Sequence, residues 1–285
     1  MRRLGFIGLG NIGRPIARSL IAPDAQVTVF DLAAEGPEAL RALGAKAAAS
    51  PAEVARAADV IGVCVRDDAD VRAVLEGPDG VFSAARENLL VAIHSTIRVK
   101  TIHELAAGAG RAGVRLVDAP VSRGAAMDGR SITFMVGGAK EDVDRLRPVV
   151  ANIALRFVEA GPLGSGMALK LCNNILSYAA TTLSDEAFRL AQAAGLDLSA
   201  LLEVISVNGV GSPIVIASLR RLAGVPRPSA GKSDIAPPSD ESRIELAEKD
   251  LDYALALARD LGLDLPASEL TRREYRSAVR RGAST

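Results

Sequence analysis

Tryptophan is absent from this chain of 285 residues, and aromatic residues together make up only 3%. That removes the stacking platforms on which single-stranded nucleic acid is usually held. Neither charge is in excess, since 34 Lys and Arg face 34 Asp and Glu. A chain of zero formal charge offers no basic surface for nucleic acid and no reason to seek an anionic membrane. The two cysteines, Cys64 and Cys172, are too few for a disulfide framework. Both sit in apolar runs, and buried free thiols of a reducing compartment are expected. No His, Cys or carboxylate cluster has metal-ligand spacing, so no metal site is expected. Long hydrophobic runs are also missing: Val60 to Val65 is far too short to span a bilayer. Behind Arg2 and Arg3, the residues Gly8, Gly10 and Asn11 break any signal-peptide core. These absences point to a soluble, cytoplasmic protein. Its 49% hydrophobic content is enough for a sizeable core and excludes a disordered chain.

The length suggests two domains, and the patterning divides accordingly. Up to about Gly161, short β-like runs alternate with Ala-rich helical segments. The runs are Leu4–Ile7, Gln26–Phe30, Val60–Val65, Leu89–Ile93, Val114–Val117 and Ile132–Val136. Such alternation reads as an α/β fold with a mainly parallel, doubly wound sheet. From residue 162 onward no strand pattern is found. Met167–Ala194 reads as one long helix, followed by Leu198–Ser206, Ile214–Ala223, Ser242–Leu261 and Ser268–Arg280. The expectation is a Rossmann-type domain over 1–161 and an all-α domain over 162–285. The stretch 224–242 is rich in proline and reads as a loop or flap.

The first strand runs into Gly8-Leu9-Gly10-Asn11-Ile12-Gly13 and then a helix. A second strand ends in Asp31, 18 residues past Gly13. A GxGxxG pattern alone is weak, but strand, turn, helix and acidic strand end together form a dinucleotide cradle. Gly8 makes the tight turn, Gly10 lets a pyrophosphate approach the backbone, and Gly13 lets helix and strand pack closely. The helix N-terminus, with Asn11 and Ile12, presents backbone N–H groups to the phosphates. Asp31 suits the ribose hydroxyls of NAD and would repel a 2′-phosphate, although a nearby arginine would leave NADP open.

Between Met167 and Ser184 the only charged residue is Lys170, and Asn174, Ser177 and Thr181 follow it along one helix face. A lysine losing hydration on such a helix moves towards neutrality and can exchange protons, as a general acid/base must. Asn174, one turn on, could hold either that lysine or a substrate oxygen. Taken alone, Lys170 reads equally well as a snorkelling side chain at the end of a core helix.

Four motifs in order carry a resemblance over almost the whole chain: Gly8-Leu-Gly-Asn-Ile-Gly13, Asp118-Ala-Pro-Val-Ser122, Gly164-Ser-Gly-Met-Ala-Leu-Lys170 with Asn173-Asn174, and Lys249-Asp250-Leu251. With these the sequence resembles the β-hydroxyacid dehydrogenase family, that of 3-hydroxyisobutyrate dehydrogenase. The resemblance implies an NAD(P)-dependent oxidoreductase passing a hydride between nicotinamide and a small 3-hydroxy acid or its semialdehyde. Lys170 matches the catalytic lysine and Asn174 the asparagine that helps bind substrate. Ser122 and Gly124 match a loop that binds the substrate carboxylate. Thr96 matches the residue by the nicotinamide, and Lys249 a second lysine near cofactor and substrate. The resemblance also implies a substrate between the two domains and a homodimer or homotetramer through the helical one.

Beside the conservative Ile12, where the family often has Met, three departures stand out. The family's loop usually reads Ser-Gly-Gly, and here Arg123 stands between Ser122 and Gly124. Its guanidinium could pair bidentately with an acidic substrate group, or turn to solvent. The 224–242 stretch aligns poorly with the family, and the chain ends earlier than the family pattern. Two other classes remain in view. An imine reductase shares the architecture but usually carries Asp or Tyr at the lysine position, and a cofactor-binding interaction module would have lost the lysine.

Overall fold

Runs of β-branched and aliphatic residues become strands here because each finds a partner strand, and the central ones are covered on both sides. The computed structural model of the protein describes residues 1–127, 130–225 and 239–281. Among these, nine strands form one sheet: β1 (Arg2–Ile7), β2 (Ala25–Phe30), β3 (Lys46–Ala47), β4 (Val60–Val63), β5 (Leu90–Ile93), β6 (Arg115–Asp118), β7 (Val121–Met127), β8 (Arg130–Gly137) and β9 (Ala154–Gly161). The order is β3-β2-β1-β4-β5-β6-β8-β7, with β9 also paired to β8. Pairing is parallel from β3 to β6, β8 is antiparallel to both β6 and β7, and β9 runs parallel to β8. The chain winds outward from β1 to β3 and then returns to place β4 on the other side of β1. The carboxyl ends of β1 and β4 are therefore the point where the winding reverses, which is where open α/β sheets bind their ligands.

Helices α1 (Gly13–Ser19), α2 (Glu35–Arg41), α3 (Pro51–Ala57), α4 (Asp68–Glu76), α5 (Val99–Arg111) and α6 (Lys140–Val150) connect the strands. Local signals set their starts. At α3, Pro51 is in the first turn, the Ser50 hydroxyl accepts the Glu53 N–H, and the Glu53 carboxylate accepts the Ala49 N–H at 2.7 Å. Asp67 caps α4 through the Asp70 N–H. Alternation along the strands sends side chains to opposite faces. Leu4 and Phe6 join Ile16, Val29 and Phe134 in one buried cluster. Ile7, Ile61, Val63 and Ile93 join Val54, Val71 and Ile102 in another.

The chain divides into two compact units, Met1–Lys170 and Leu171–Thr285. Helix α7 (Ser165–Ala193) opens in the first and continues in the second, which adds α8 (Leu198–Val207), α9 (Pro213–Leu222), α10 (Asp240–Asp260) and α11 (Pro266–Arg281). Ile244 and Ala247 of α10 pack with Tyr275 and Val279 of α11, and Tyr178 of α7 joins them. The buried Asp185 of α7 is paired by Arg281 and Arg189.

The α/β class and the helical second part match the sequence reading, and three details differ. Ser122, Arg123 and Gly124 lie on strand β7 rather than in a loop, because Val121, Ser122 and Arg123 pair with Phe134, Thr133 and Ile132 of β8. Cys172 is exposed, because α7 turns part of its apolar sequence outward. Of the stretch 224–242, residues 226–238 lie outside the described residues, and α10 already begins at Asp240.

Candidate active site

The turn after β1 is shaped by what a side chain would strike. Gly8 adopts a φ of +91°, and a Cβ there would lie 2.2 Å from the Cys64 carbonyl oxygen. A Cβ at Gly13 would lie 1.9 Å from the Gly8 carbonyl oxygen, so the turn closes only with glycine at both ends. Gly10 is different: a Cβ there would meet nothing within 4 Å. Its backbone faces open space, in a cleft of about 680 Å³ whose walls include Asn11, Ile12, Asp31, Leu32, Arg66 and Val74. Helix α1 has no side-chain cap at its start and no acidic residue in its first turn. A bare glycine backbone above an open cleft, next to an uncapped helix start, fits a dinucleotide pyrophosphate.

Asp31 sits just past the end of β2. One carboxylate oxygen accepts the Leu9 N–H at 2.5 Å and the other the Ala33 N–H at 2.8 Å. These bonds fix the carboxylate across the turn, and each oxygen keeps acceptor capacity for a ribose hydroxyl. Leu32 is 95% exposed and presents no cation. Arg66 is the arginine of the cleft wall that sequence reading did not single out. Asp70, one turn further along the chain, holds it in an ion pair at 2.8 Å.

Parallel strands bring their carboxyl ends to one edge of the sheet. Thr96 follows β5 by three residues, and Ser122 follows β6 by four. Ser95, next to Thr96, is buried and accepts the Val65 N–H at 2.8 Å. Arg123 is exposed and donates from Nη2 to the Asn11 carbonyl at 3.0 Å. The sequence predicts this arginine near substrate, and it lies against the glycine turn itself. His94 is buried between Phe6 and Phe134, its Nδ1 against the Ala119 carbonyl at 2.9 Å. Burial holds its pKa down at about 4, so it is a neutral core residue, while His103 is exposed.

Asp118 is fully buried at the end of β6. Its two oxygens accept the Gly164 N–H at 2.7 Å and the Met167 N–H at 2.6 Å. The carboxylate thus clasps the start of α7 to the sheet. Gly137 and Gly166 permit the approach, since a Cβ on Gly137 would meet Asp118 Oδ1 at 2.5 Å and one on Gly166 the Met135 carbonyl at 2.3 Å. Burial pushes the Asp118 carboxyl up to about 6, opposed by the two N–H donors. Lys170 lies three residues beyond Met167 and is only 8% exposed.

In the second unit, Asn174 is buried. Its amide donates to Asp250 at 2.7 Å, and Tyr178 donates to the same carboxylate oxygen at 2.8 Å. Lys249 pairs with the other Asp250 oxygen at 2.9 Å and lies 4.8 Å from the centre of the Tyr253 ring. Lys249 is therefore a half-buried, engaged residue. Sequence reasoning gave no role to Asp118, Asp250 or Tyr178. A signal existed for Asp250, because it falls between Ala247 and Ala254 on the buried stripe of α10, where a carboxylate needs a reason.

A glycine cradle at the reversal point of a parallel sheet, with an acidic residue closing the second strand, marks a dinucleotide-binding site, and the similarities that follow make it that of an NAD(P)-dependent oxidoreductase. The family model for the NAD binding domain of 6-phosphogluconate dehydrogenase matches residues 3–161, and that for the NAD-binding region of NADP-dependent 3-hydroxyisobutyrate dehydrogenase matches residues 164–285. The 3-sulfolactaldehyde reductase of Escherichia coli is 33% identical, over 98% of this chain and 90% of its own length. The 3-hydroxyisobutyrate dehydrogenase of Pseudomonas aeruginosa is 31% identical, over 95% and 90%. The crystal structure of 3-hydroxyisobutyrate dehydrogenase from Salmonella typhimurium superposes with a TM-score of 0.81 at 28% identity, covering 99% of this chain and 95% of that one. The chain belongs to the β-hydroxyacid dehydrogenase family. It uses NAD(P), and among the described residues no helix is long and apolar enough to cross a membrane.

Proposed function

We propose that the enzyme interconverts a small 3-hydroxy acid and its semialdehyde, with Lys170 as the general acid/base. The observation that carries this is the buried lysine on a helix whose start is clasped by Asp118 to the end of β6. That edge of the sheet also carries the cofactor turn. When bound, the nicotinamide ring supplies the hydride acceptor or donor. Gly8, Gly10, Asn11, Ile12 and Gly13 hold the pyrophosphate side, and Asp31 the adenosine ribose, with NAD preferred. Thr96 lines the nicotinamide end, and Lys249 serves the cofactor from α10. Ser122 and the Gly124 backbone hold the substrate carboxylate. Lys170 takes the hydroxyl proton in oxidation and returns it in reduction. Oxidation requires the neutral form of Lys170 and reduction the charged one.

Arg123 tunes the substrate class in this reading. Its bond to the Asn11 carbonyl leaves the rest of the guanidinium fork for a second acidic group. Similarity to a 3-sulfolactaldehyde reductase supports a second form of this reading, a substrate whose acidic group is a sulfonate. The leucines Leu176, Leu183 and Leu190, seven residues apart and all exposed on α7, support a homo-oligomer built on that helix. A reducing cytoplasm suits the two free thiols.

The test is a spectrophotometric screen of three- and four-carbon hydroxy acids and semialdehydes, mono- and doubly acidic, with NAD and NADP side by side. Arg123→Gly should raise KM for the doubly acidic substrate by about 10- to 100-fold, as expected for losing a hydrogen bond to a charged group, and change mono-acids little. An unchanged ratio of kcat/KM for the two substrate types would remove Arg123 from substrate recognition. No turnover of any hydroxy acid would remove the reading as a whole.

A further inference from the structure

The buried carboxylate of Asp250 has no place in the proposed chemistry, yet four polar groups gather on it or on its neighbour. Oδ2 accepts from Asn174 Nδ2 and from the Tyr178 hydroxyl, and Oδ1 meets Lys249 Nζ. The opposite end of the Asn174 amide is also engaged, its Oδ1 accepting from Asn173 Nδ2 at 3.0 Å. Tyr178 stays protonated and remains a donor, because burial first and the Asp250 charge second drive its ionisation upward.

An ionised carboxylate can only accept. The Asn174 group that faces Asp250 must therefore be its NH₂. The second N–H of that NH₂ is directed at the Tyr178 oxygen, 3.4 Å away. Both amide donors are thus turned into the protein. The carbonyl oxygen has taken one donor, from Asn173, and has a second lone pair. From these contacts we infer that Asp250 is a positioning residue: it locks the Asn174 amide so that Asn174 meets a ligand as a hydrogen-bond acceptor and not as a donor. This rests on the reading that Asn174 serves the substrate site. Its consequence is specific. Asn174 recognises a hydroxyl or an ammonium group, while carboxylate recognition is left to the donors of β7.

Isosteric exchange separates this role from simple packing. In Asp250→Leu, of similar shape, both acceptor oxygens are gone and the Asn174 amide can turn over. kcat/KM should fall by about 10- to 100-fold, the cost of one misplaced hydrogen bond. Asn174→Asp alone sets two buried carboxylates against each other and should lose both activity and thermal stability. The double variant, Asn174→Asp with Asp250→Asn, restores a carboxylate–amide pair and still offers an acceptor at position 174. Measured at its own pH optimum, it should recover to within about tenfold of wild type if an acceptor is what the site needs.

A double variant that regains its melting temperature but not kcat/KM would overturn the inference, because Asn174 would then act as a donor. Asp250→Leu with wild-type kcat/KM would overturn it as well. Should neither variant accumulate folded, Tyr178→Phe decides. It leaves the Asn174–Asp250 bond in place and should keep kcat/KM within about threefold, whereas a loss beyond tenfold would assign the orientation of Asn174 to Tyr178. Wild-type turnover of a hydroxy acid, measured first, separates failure of this inference from failure of the proposed function.

Discussion

Gly10→Ala should make the protein slightly more stable and bind its cofactor worse. A Cβ at this position meets nothing within 4 Å, and the φ of Gly10 lies outside the left-handed region. Alanine therefore fits without strain and removes conformational freedom from the unfolded chain, a gain of about 0.4–1 kcal/mol. The same methyl stands where the pyrophosphate must approach the backbone. A displacement that costs about 1.4–2.7 kcal/mol of binding weakens Kd by about 10- to 100-fold. Gly13→Ala is the matched control, because its Cβ would lie 1.9 Å from the Gly8 carbonyl oxygen. That backbone cannot yield cheaply, so this variant should lose stability and cofactor binding together. Thermal melts of the cofactor-free protein and calorimetric titration with NAD measure both quantities. Wild-type NAD affinity in a well-folded Gly10→Ala would refute the placement of the cofactor over this turn.

Lys170→Ala should lower kcat by about 10²–10⁴-fold with little change in NAD affinity, and a variant that keeps more than about a tenth of kcat would exclude Lys170 as the acid/base. Asp31→Ser with Leu32→Arg should shift the ratio of kcat/KM for NADP over NAD upward by more than about tenfold, by removing a like charge and adding a phosphate partner. A wild type already preferring NADP would put the ribose elsewhere. Burial raises the folded-state pKa of Asp118 from 3.8 to about 6, so the folded state holds the proton more tightly and the contribution of Asp118 to stability falls as pH rises from about 4 to 6, by about 3 kcal/mol. His94, held at about 4, acts with the opposite sign over much of that window, so the quantity to follow is the stability of wild type minus that of Asp118→Asn; a difference that does not fall between pH 4 and 6 would contradict the burial cost.

The parts of the fold that announce themselves in the sequence are those with their own periodicity or punctuation. The strand–glycine–helix cradle, the apolar run Val60 to Val63 and the long helix carrying Lys170 are of this kind. Strands defined mainly by their partners were not legible. β3 is two residues long, and β9 shows alternating half-exposure without an apolar run. β7 begins one residue after Pro120, which reads as a turn until β8 supplies the pairing. The exposure of Cys172 was hidden for a related reason. A helix rich in leucine does not declare which leucines face inward, and on α7 those seven residues apart face out. Candidate site residues divide in the same way. Gly8, Gly10, Gly13, Asp31 and Lys170 stand in motifs whose chemistry can be argued from residue type, whereas Asp118 and Asp250 act through bonds to distant segments that spacing alone does not reveal.

In the proposed reading, Asp118 bears on how a flexible lysine becomes a usable acid/base. A free lysine side chain carries about 2 kcal/mol of rotamer entropy, and proton transfer needs its ammonium within hydrogen-bond reach of one oxygen. Burial of the stem removes part of that freedom, but only if the helix beneath it is fixed. Asp118 fixes it by accepting two N–H groups at the first turn of α7, in spite of the cost of keeping a charge where its pKa is pushed up to about 6. An amide in its place would avoid the buried charge, but would turn an NH₂ against one of those helix N–H donors. Asp118→Asn should therefore lose more in kcat than in stability at neutral pH, where the ionised carboxylate bears its full desolvation cost. The opposite ordering, a large stability loss with kcat preserved in the folded fraction, would mean that the clasp on α7 holds the fold together and does nothing to aim Lys170.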